Sequence, residues 1–263
     1  MNIIVLVKQV PDTTEVSIDP RTGNLNREGV ESIVNPDDRH ALEAALRIKE
    51  KHGGRVKAIS MGPDQAVDAL SEALGMGADE GILLTDPAFA GADTWATSFT
   101  LARAIRKNGA FDLILCGRQA IDGDTAQVGP QLAELLDIRQ VTAVCGHESF
   151  ETGKCRVIRR IRGGRELVQS SLPALWSVVA DMNSPRYPHM ERLIRACRPK
   201  SAITVWNAAD LGVKAQQVGL LGSLTQVIGT FPPKTERKGE ILEGDPRTMA
   251  GSLVDRLREN QLI

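Results

Sequence analysis

The stretch FDLILCGRQAIDGDTAQVGPQLAELL, residues 111–136, constrains the fold of this chain more than any other. Residues 111–116 are a short, nearly all-apolar run that stops at Gly117, as in a strand buried on both faces of a parallel sheet. Residues 131–136 carry Leu132, Leu135 and Leu136 at helical spacing. The loop between them holds Gly117, Gly123 and Gly129, with Asp124 and Thr125 as candidate N-caps of the helix. A strand, a glycine-bearing turn and a helix N-terminus together make an anion site. Unpaired backbone N–H groups point outward there, and the helix dipole adds partial positive charge. A phosphate-bearing cofactor is the expected occupant.

The same alternation runs back to the N-terminus. Residues 2–7 read as a strand, followed by a hairpin excursion through Val16, the turn-like Asp19-Pro20 and Leu25. Asn35-Pro36-Asp37-Asp38 opens a helix to about His52, with Gly53-Gly54 as its stop. Residues 56–61 are a strand, and Gly62-Pro63-Asp64 opens a helix ending near Gly75 or Gly77. Residues 81–84 are a strand, and Asp93 caps a helix to about Asn108. The fold class is therefore α/β, a parallel sheet with helices on both faces. Ligands of such sheets bind outside the carboxyl ends of the strands, which singles out Lys8, Met61-Gly62 and Gly117-Arg118.

The pattern changes after residue 140. Residues 141–150, 155–161 and 166–179 read as successive strands of an antiparallel extension. A proline-punctuated loop at 183–190 precedes a short helical pattern to about Cys197. From Pro199 the chain is rich in glycine and proline, with modest apolar spacing, and closes in a helix over 246–260. Two parts result: an α/β nucleotide-binding domain over 1–198, and an arm over 199–263 that packs on another subunit.

Composition narrows the function. A formal net charge of −1 gives no global pull toward nucleic acid or membrane, and no apolar run reaches membrane-spanning length. The opening MNIIVLVKQV lacks a small-residue cleavage site and reads as a strand, not a signal peptide, and a cytoplasmic location is the expectation. Cys116, Cys145, Cys155 and Cys197 have no CxxC spacing and read as reduced packing thiols. The four histidines are scattered, and no metal is expected.

Several motifs in order resemble the β subunit of electron-transfer flavoproteins along essentially the whole chain. They are VKQVPDT (7–13), VNPDD (34–38), SMGP (60–63), MGAD (76–79), GRQAIDGDTAQVGP (117–130), LPALWSV (172–178) and SPRYP (184–188). The resemblance implies an adenine-nucleotide-binding, Rossmann-like fold and an α-subunit partner that carries one FAD. It also implies a nucleotide site on this chain. That site would comprise Leu6, Asn35, Pro36, Asp37, Asp38, Met61, Gly117, Arg118, Gln119, Ala120, Ile121, Asp122, Gly123, Asp124, Thr125, Ala126, Gln127 and Val128. The family divides on the occupant. Housekeeping members hold structural AMP, and electron-bifurcating members hold a second FAD that takes a hydride from NADH.

The loop AIDGDTAQVGP is similar to the bifurcating kind, because AMP-binding relatives usually have a bulkier acidic run where Gly123 and Thr125 stand here. Gly123 tolerates positive φ and lets backbone approach a pyrophosphate, or it is a turn glycine only. Thr125 and Ala126 would lie in the first helical turn with N–H groups free for phosphate. Asp122 would face a ribose hydroxyl or a neighbouring subunit, since a carboxylate beside a phosphate is repelled. Arg118 either offsets pyrophosphate charge or approaches the flavin, or it is a solvated surface arginine. No Walker-type lysine loop supports a free-standing nucleotide hydrolase or ligase.

The resemblance also gives residues 185–194 a docking role toward an acyl-CoA dehydrogenase or other flavin dehydrogenase. Met190 is the apolar anchor, with Arg186, Tyr187, Pro188, His189, Leu193 and Ile194 around it. A basic neighbourhood (Arg156, Arg159, Arg160, Arg162, Arg165, Arg186, Arg192, Arg195, Arg198 and Lys200) is either a solvated face or would steer toward an acidic partner. In a bifurcating complex, ferredoxin or flavodoxin is the low-potential acceptor. Two residues depart from the family pattern: Arg162 stands where members often have an acid, and Leu224 where proline is common.

Overall fold

The computed structural model describes residues 1–12, 31–198, 202–229 and 239–263. By internal contacts these fall into two units, Met1–Ile228 and Gly229–Ile263. The hairpin excursion expected at 16–25 lies outside the described residues. The strands in chain order are β1 (Asn2–Leu6), β2 (Gln9–Pro11), β3 (Ser32–Val34), β4 (Arg55–Met61), β5 (Glu80–Leu84), β6 (Leu113–Gly117), β7 (Arg139–Glu151), β8 (Lys154–Ile161), β9 (Gly164–Ser171), β10 (Ala174–Val178) and β11 (Ile203–Trp206). The α-helices are α1 (Pro36–His52), α2 (Val67–Met76), α3 (Thr94–Asn108), α4 (Val128–Leu136), α5 (Met190–Ala196), α6 (Ala208–Leu211), α7 (Gly219–Gly222) and α8 (Pro246–Glu259).

Nine strands form one sheet in the order β11-β5-β4-β1-β6-β10-β7-β8-β9, and β2 pairs antiparallel with β3 beside it. From β11 to β7 all pairings are parallel; only β7–β8 and β8–β9 are antiparallel. The two-residue period of the strands divides the core. Ile3, Val5, Leu113 and Leu115 pack with α1 and α2, while Ile4, Leu6, Ile114 and Cys116 pack with α3 and α4. Each such side chain contributes about 1.5–3 kcal/mol on burial, so the central strands need no polar face.

The antiparallel extension forms, but residues 166–179 are two strands with different partners. β9 stays in the hairpin, the chain breaks at Leu172-Pro173, and β10 inserts parallel between β6 and β7. A proline has no N–H to give to a ladder, which suits it to the break. Residues 202–228 also do more than their composition implies. β11 extends the sheet parallel to β5, and Leu211 and Val218 are buried in the α3 face. In the second unit α8 is capped by Asp245, whose carboxylate accepts from Arg247 N and Thr248 N, and none of its described residues is buried. Among the described residues no helix is long and apolar enough to cross a membrane.

Asp93 links two parts of the first unit. Its Oδ1 caps α3 by accepting from Ala96 N at 2.9 Å, while Oδ2 accepts from Leu224 N, Thr225 N and the Thr225 hydroxyl, each at 2.9 Å. The departure at Leu224 thus supplies a donor that proline lacks. Replacing Asp93 with Ala removes the cap and three further bonds at once. The urea midpoint should fall by the equivalent of about 1–3 kcal/mol, against about 0.5–1.5 kcal/mol for Thr225→Val.

Candidate functional site

The site begins with strand order. β1 and β6 are neighbours, so Lys8 and Gly117 meet at the carboxyl end of the sheet. Between them sits Asp38, in the first turn of α1 and almost fully buried. Its Oδ2 accepts from Lys8 N at 2.9 Å and its Oδ1 from Gly117 N at 2.8 Å. Burial pushes this carboxyl up to about 7, against the hydrogen bonds from Lys8, Gly117 and Asn35 that favour the anion. Glycine at 117 is a packing requirement, since a Cβ there would lie 2.4 Å from Asp38 Oδ1 and 2.7 Å from Asp37 Cβ.

Asn35 completes the base. It is fully buried, its N donates to Lys8 O at 2.8 Å, its Nδ2 to Gln119 O at 2.9 Å, and its Oδ1 accepts from Ile121 N at 3.1 Å. One side chain therefore holds the start of the loop to the β3–α1 junction. Leu6, Met61 and Gly62 lie at the same edge, because β1 and β4 are paired in register and Gly62 N donates to Leu84 O.

The loop over 118–127 is anchored at both ends. Arg118 N donates to Val178 O at 2.8 Å, and the Lys8 ammonium lies 2.7 and 2.8 Å from the two oxygens of Asp122, whose side chain is 5 % exposed. At the far end the Thr94 hydroxyl donates to Gln127 Oε1 at 2.9 Å, and Gln131 Nε2 donates to Thr94 Oγ1. Between the anchors Asp124 and Ala126 take left-handed φ values of 49° and 54°, uncommon for residues with a Cβ. Asp124 and Thr125 are not helix caps, and Thr125 and Ala126 are not in the first turn. Asp124 Oδ1 instead accepts from the Gln119 amide, and α4 starts at Val128 after Gln127. The left-handed residues prolong the loop by a few positions.

The crest of the loop is open. Among the described residues the N–H groups of Gly123, Thr125 and Ala126 make no intrachain hydrogen bond, and no atom lies within 4 Å of where a Gly123 Cβ would be. Gly123 does not have positive φ, so the fold itself does not demand glycine there. The Arg118 guanidinium is exposed and, among the described residues, has no hydrogen-bond or ion-pair partner, although its field lowers the Asp37 carboxyl that burial raises. Free donors, an unpaired cation and vacant space over a glycine suit a phosphate-bearing ligand. The Asp122 charge meets Lys8, which answers the repulsion expected of a carboxylate there.

The second group of residues gathers on the α1 and α2 face. Tyr187 is 94 % exposed and Met190 67 %, with Ile194 also exposed and Leu193 packed toward Gly75. Arg186 points inward to Glu43 and Glu50. Sequence reasoning missed Glu43, Asn183 and the Thr94–Gln127–Gln131 network. Each is polar in a helix or loop, and nothing local marks a partner more than 30 positions away.

These features define an α/β protein with an open loop at the carboxyl end of its parallel sheet and an exposed, proline-stiffened loop at Tyr187 and Met190. The electron transfer flavoprotein domain matches residues 22–211. The chain is 53 % identical over 263 residues to the electron transfer flavoprotein subunit beta of Thermoanaerobacterium thermosaccharolyticum, covering all of both chains. It is 49 % identical to the caffeyl-CoA reductase-Etf complex subunit CarD of Acetobacterium woodii, again over all of both chains, and 41 % identical to protein FixA of Azotobacter vinelandii over 98 % of this chain and 94 % of that one. This chain belongs to the electron transfer flavoprotein β subunits. Such subunits pair with an α subunit and serve flavin-linked electron transfer.

Asp38 gives the site a pH signature. Its carboxyl is raised from 3.8 to about 7 in the fold, so the folded state binds the extra proton between those values. The stability it contributes is present below pH 3.8 and lost as pH rises through about 7. Chemical denaturation across that range should show a decline that Asp38→Asn flattens. Gly117→Ala should cost more than about 2 kcal/mol, because the new methyl collides with a buried carboxylate and backbone.

Proposed function

We propose that this chain is the FAD-holding β subunit of an electron-bifurcating flavoprotein and works only in complex with its α subunit. A bound flavin would supply the chemistry of hydride acceptance from NADH and one-electron release, one electron toward the α-subunit FAD and a flavin dehydrogenase such as an acyl-CoA dehydrogenase, the other toward ferredoxin or flavodoxin. The observation that carries the reading is the open crest of the loop, with its free N–H groups and no side chain at Gly123. The near-full-length likeness to a subunit named for a caffeyl-CoA reductase-Etf complex supports it.

The residues divide their work by position. Gly123, Thr125 and Ala126 present N–H groups to phosphate oxygens, and Arg118 offsets their charge. Lys8 neutralises Asp122 beside them. Asn35 and Asp38 touch the loop from beneath and fix its shape. Tyr187 and Met190 are the exposed anchors that meet the dehydrogenase, and the exposed residues Leu221, Leu224 and Ile228 of the first unit are offered to the α subunit.

Gly123→Asp tests the reading. Because nothing crowds the position and its φ is ordinary, the variant should fold and assemble normally. It should purify with the α-site flavin present and the β-site flavin lost, its affinity weakened at least about tenfold by a carboxylate facing phosphate. Retention of both flavins with normal NADH oxidation would contradict it. Retained AMP in the unmodified complex would favour the structural-nucleotide alternative.

A further inference from the structure

The docking loop is fastened before any partner arrives. Asn183 exchanges two bonds with α1: its O lies 2.9 Å from His40 Nδ1 and its Nδ2 donates to His40 O at 2.9 Å. Arg47 Nη2 donates to Ser184 O at 3.1 Å. On the other side, His189 N donates to Gly75 O at 2.9 Å, and Pro188 packs so close to Gly75 that a Cβ there would lie 3.0 Å from it. Between these attachments Arg186 uses all three guanidinium nitrogens. Nε donates to Glu43 Oε2 at 2.8 Å, Nη2 to Glu43 Oε1 at 3.2 Å and Glu50 Oε2 at 3.1 Å, and Nη1 to Glu50 Oε1. Its backbone N also donates to Glu43 Oε2.

Glu43 explains why this arrangement holds. Its side chain is only 3 % exposed, and although burial raises its carboxyl, the bonds from Arg186 and Arg47 leave it below the usual range. A buried carboxylate of this kind needs its cation, so the loop is tied where the charge is most costly to leave alone. The next residue, Tyr187, is nevertheless 94 % exposed, and Met190 three positions later is 67 % exposed. Two large apolar-bodied side chains are thus held out in water directly after a rigid attachment.

We propose that Arg186 is a positioning residue for docking: gripping Glu43 and Glu50, it presets the loop so that Tyr187 and Met190 meet the flavin dehydrogenase in one orientation. The proposal rests on the docking role given to this loop above. Arg186 spends its guanidinium on the two glutamates of α1. Its effect is to remove the ordering cost of the loop from the encounter, which acts on association and not on the electron transfer that follows. Lysine cannot replace it, because a single ammonium cannot bridge two carboxylates in a planar fork.

The test is steady-state electron transfer from the intact αβ complex to an acyl-CoA dehydrogenase, with dehydrogenase concentration varied. Met190→Ala, Arg186→Lys and Glu50→Gln are compared. Glu50 is half exposed, so its variant removes one arm of the grip without leaving a buried charge unpaired. Arg186→Lys should raise the KM for the dehydrogenase about 5–10-fold and Glu50→Gln about 2–3-fold, with kcat held, in line with about 0.5–1.5 kcal/mol per side chain newly ordered on binding. If Met190→Ala raises KM while neither clamp variant does, the clamp is overturned and docking stands. If Met190→Ala changes nothing, the docking role fails and the clamp with it. A fall in kcat at unchanged KM for Arg186→Lys also overturns the proposal.

Discussion

Asp38 is the residue on which the rest of the site depends. Parallel strands end with N–H groups that the sheet itself cannot pair, and at the β1–β6 edge two of them, Lys8 N and Gly117 N, converge on one buried carboxylate. That choice dictates glycine at 117, because no Cβ fits beside the carboxylate. It also fixes the direction in which the chain leaves β6. Asn35, three residues earlier and equally buried, extends the same logic to the first turn of the loop. The cost of the arrangement is a carboxyl pushed up to about 7 by burial.

With its base and its far end fixed, the loop need not satisfy its own middle. Left-handed residues at Asp124 and Ala126 keep the chain out of helix until Val128, and the N–H groups of Gly123, Thr125 and Ala126 remain free. Buried backbone donors are almost always paired, but here the free ones lie at an exposed crest where a ligand or water reaches them. An oriented, unsatisfied crest on a rigid base suits a group rich in acceptor oxygens; of the two loop carboxylates, Asp122 is paired with Lys8 and Asp124 accepts from the Gln119 amide.

Much of this was legible in the sequence. The strand–helix alternation, the Asn35-Pro36 helix start, the Asp93 cap and the α5 and α8 helices all rest on local signals and appear where those signals put them. The loop between β6 and α4 was marked by its glycines, and the strand ends at β1, β4 and β6 by the alternation of strand and helix. What failed was non-local. Residues 166–179 look like one strand, yet Pro173 divides it and its second half belongs to the centre of the sheet, a choice made by neighbours and not by propensity. Asp124 has the chemistry of an N-cap, but the Gln119 amide takes its carboxylate and its φ is left-handed. Arg186 reads as a surface cation until Glu43, 143 positions away in the chain, is seen beneath it.

The most direct measurement is the cofactor content of the purified αβ complex, by flavin absorbance and chromatography of the released nucleotides, with an NADH titration. The account predicts two FAD per αβ pair and prompt bleaching by NADH. One FAD with AMP, and no response to NADH, would contradict it and leave Gly123 a turn residue.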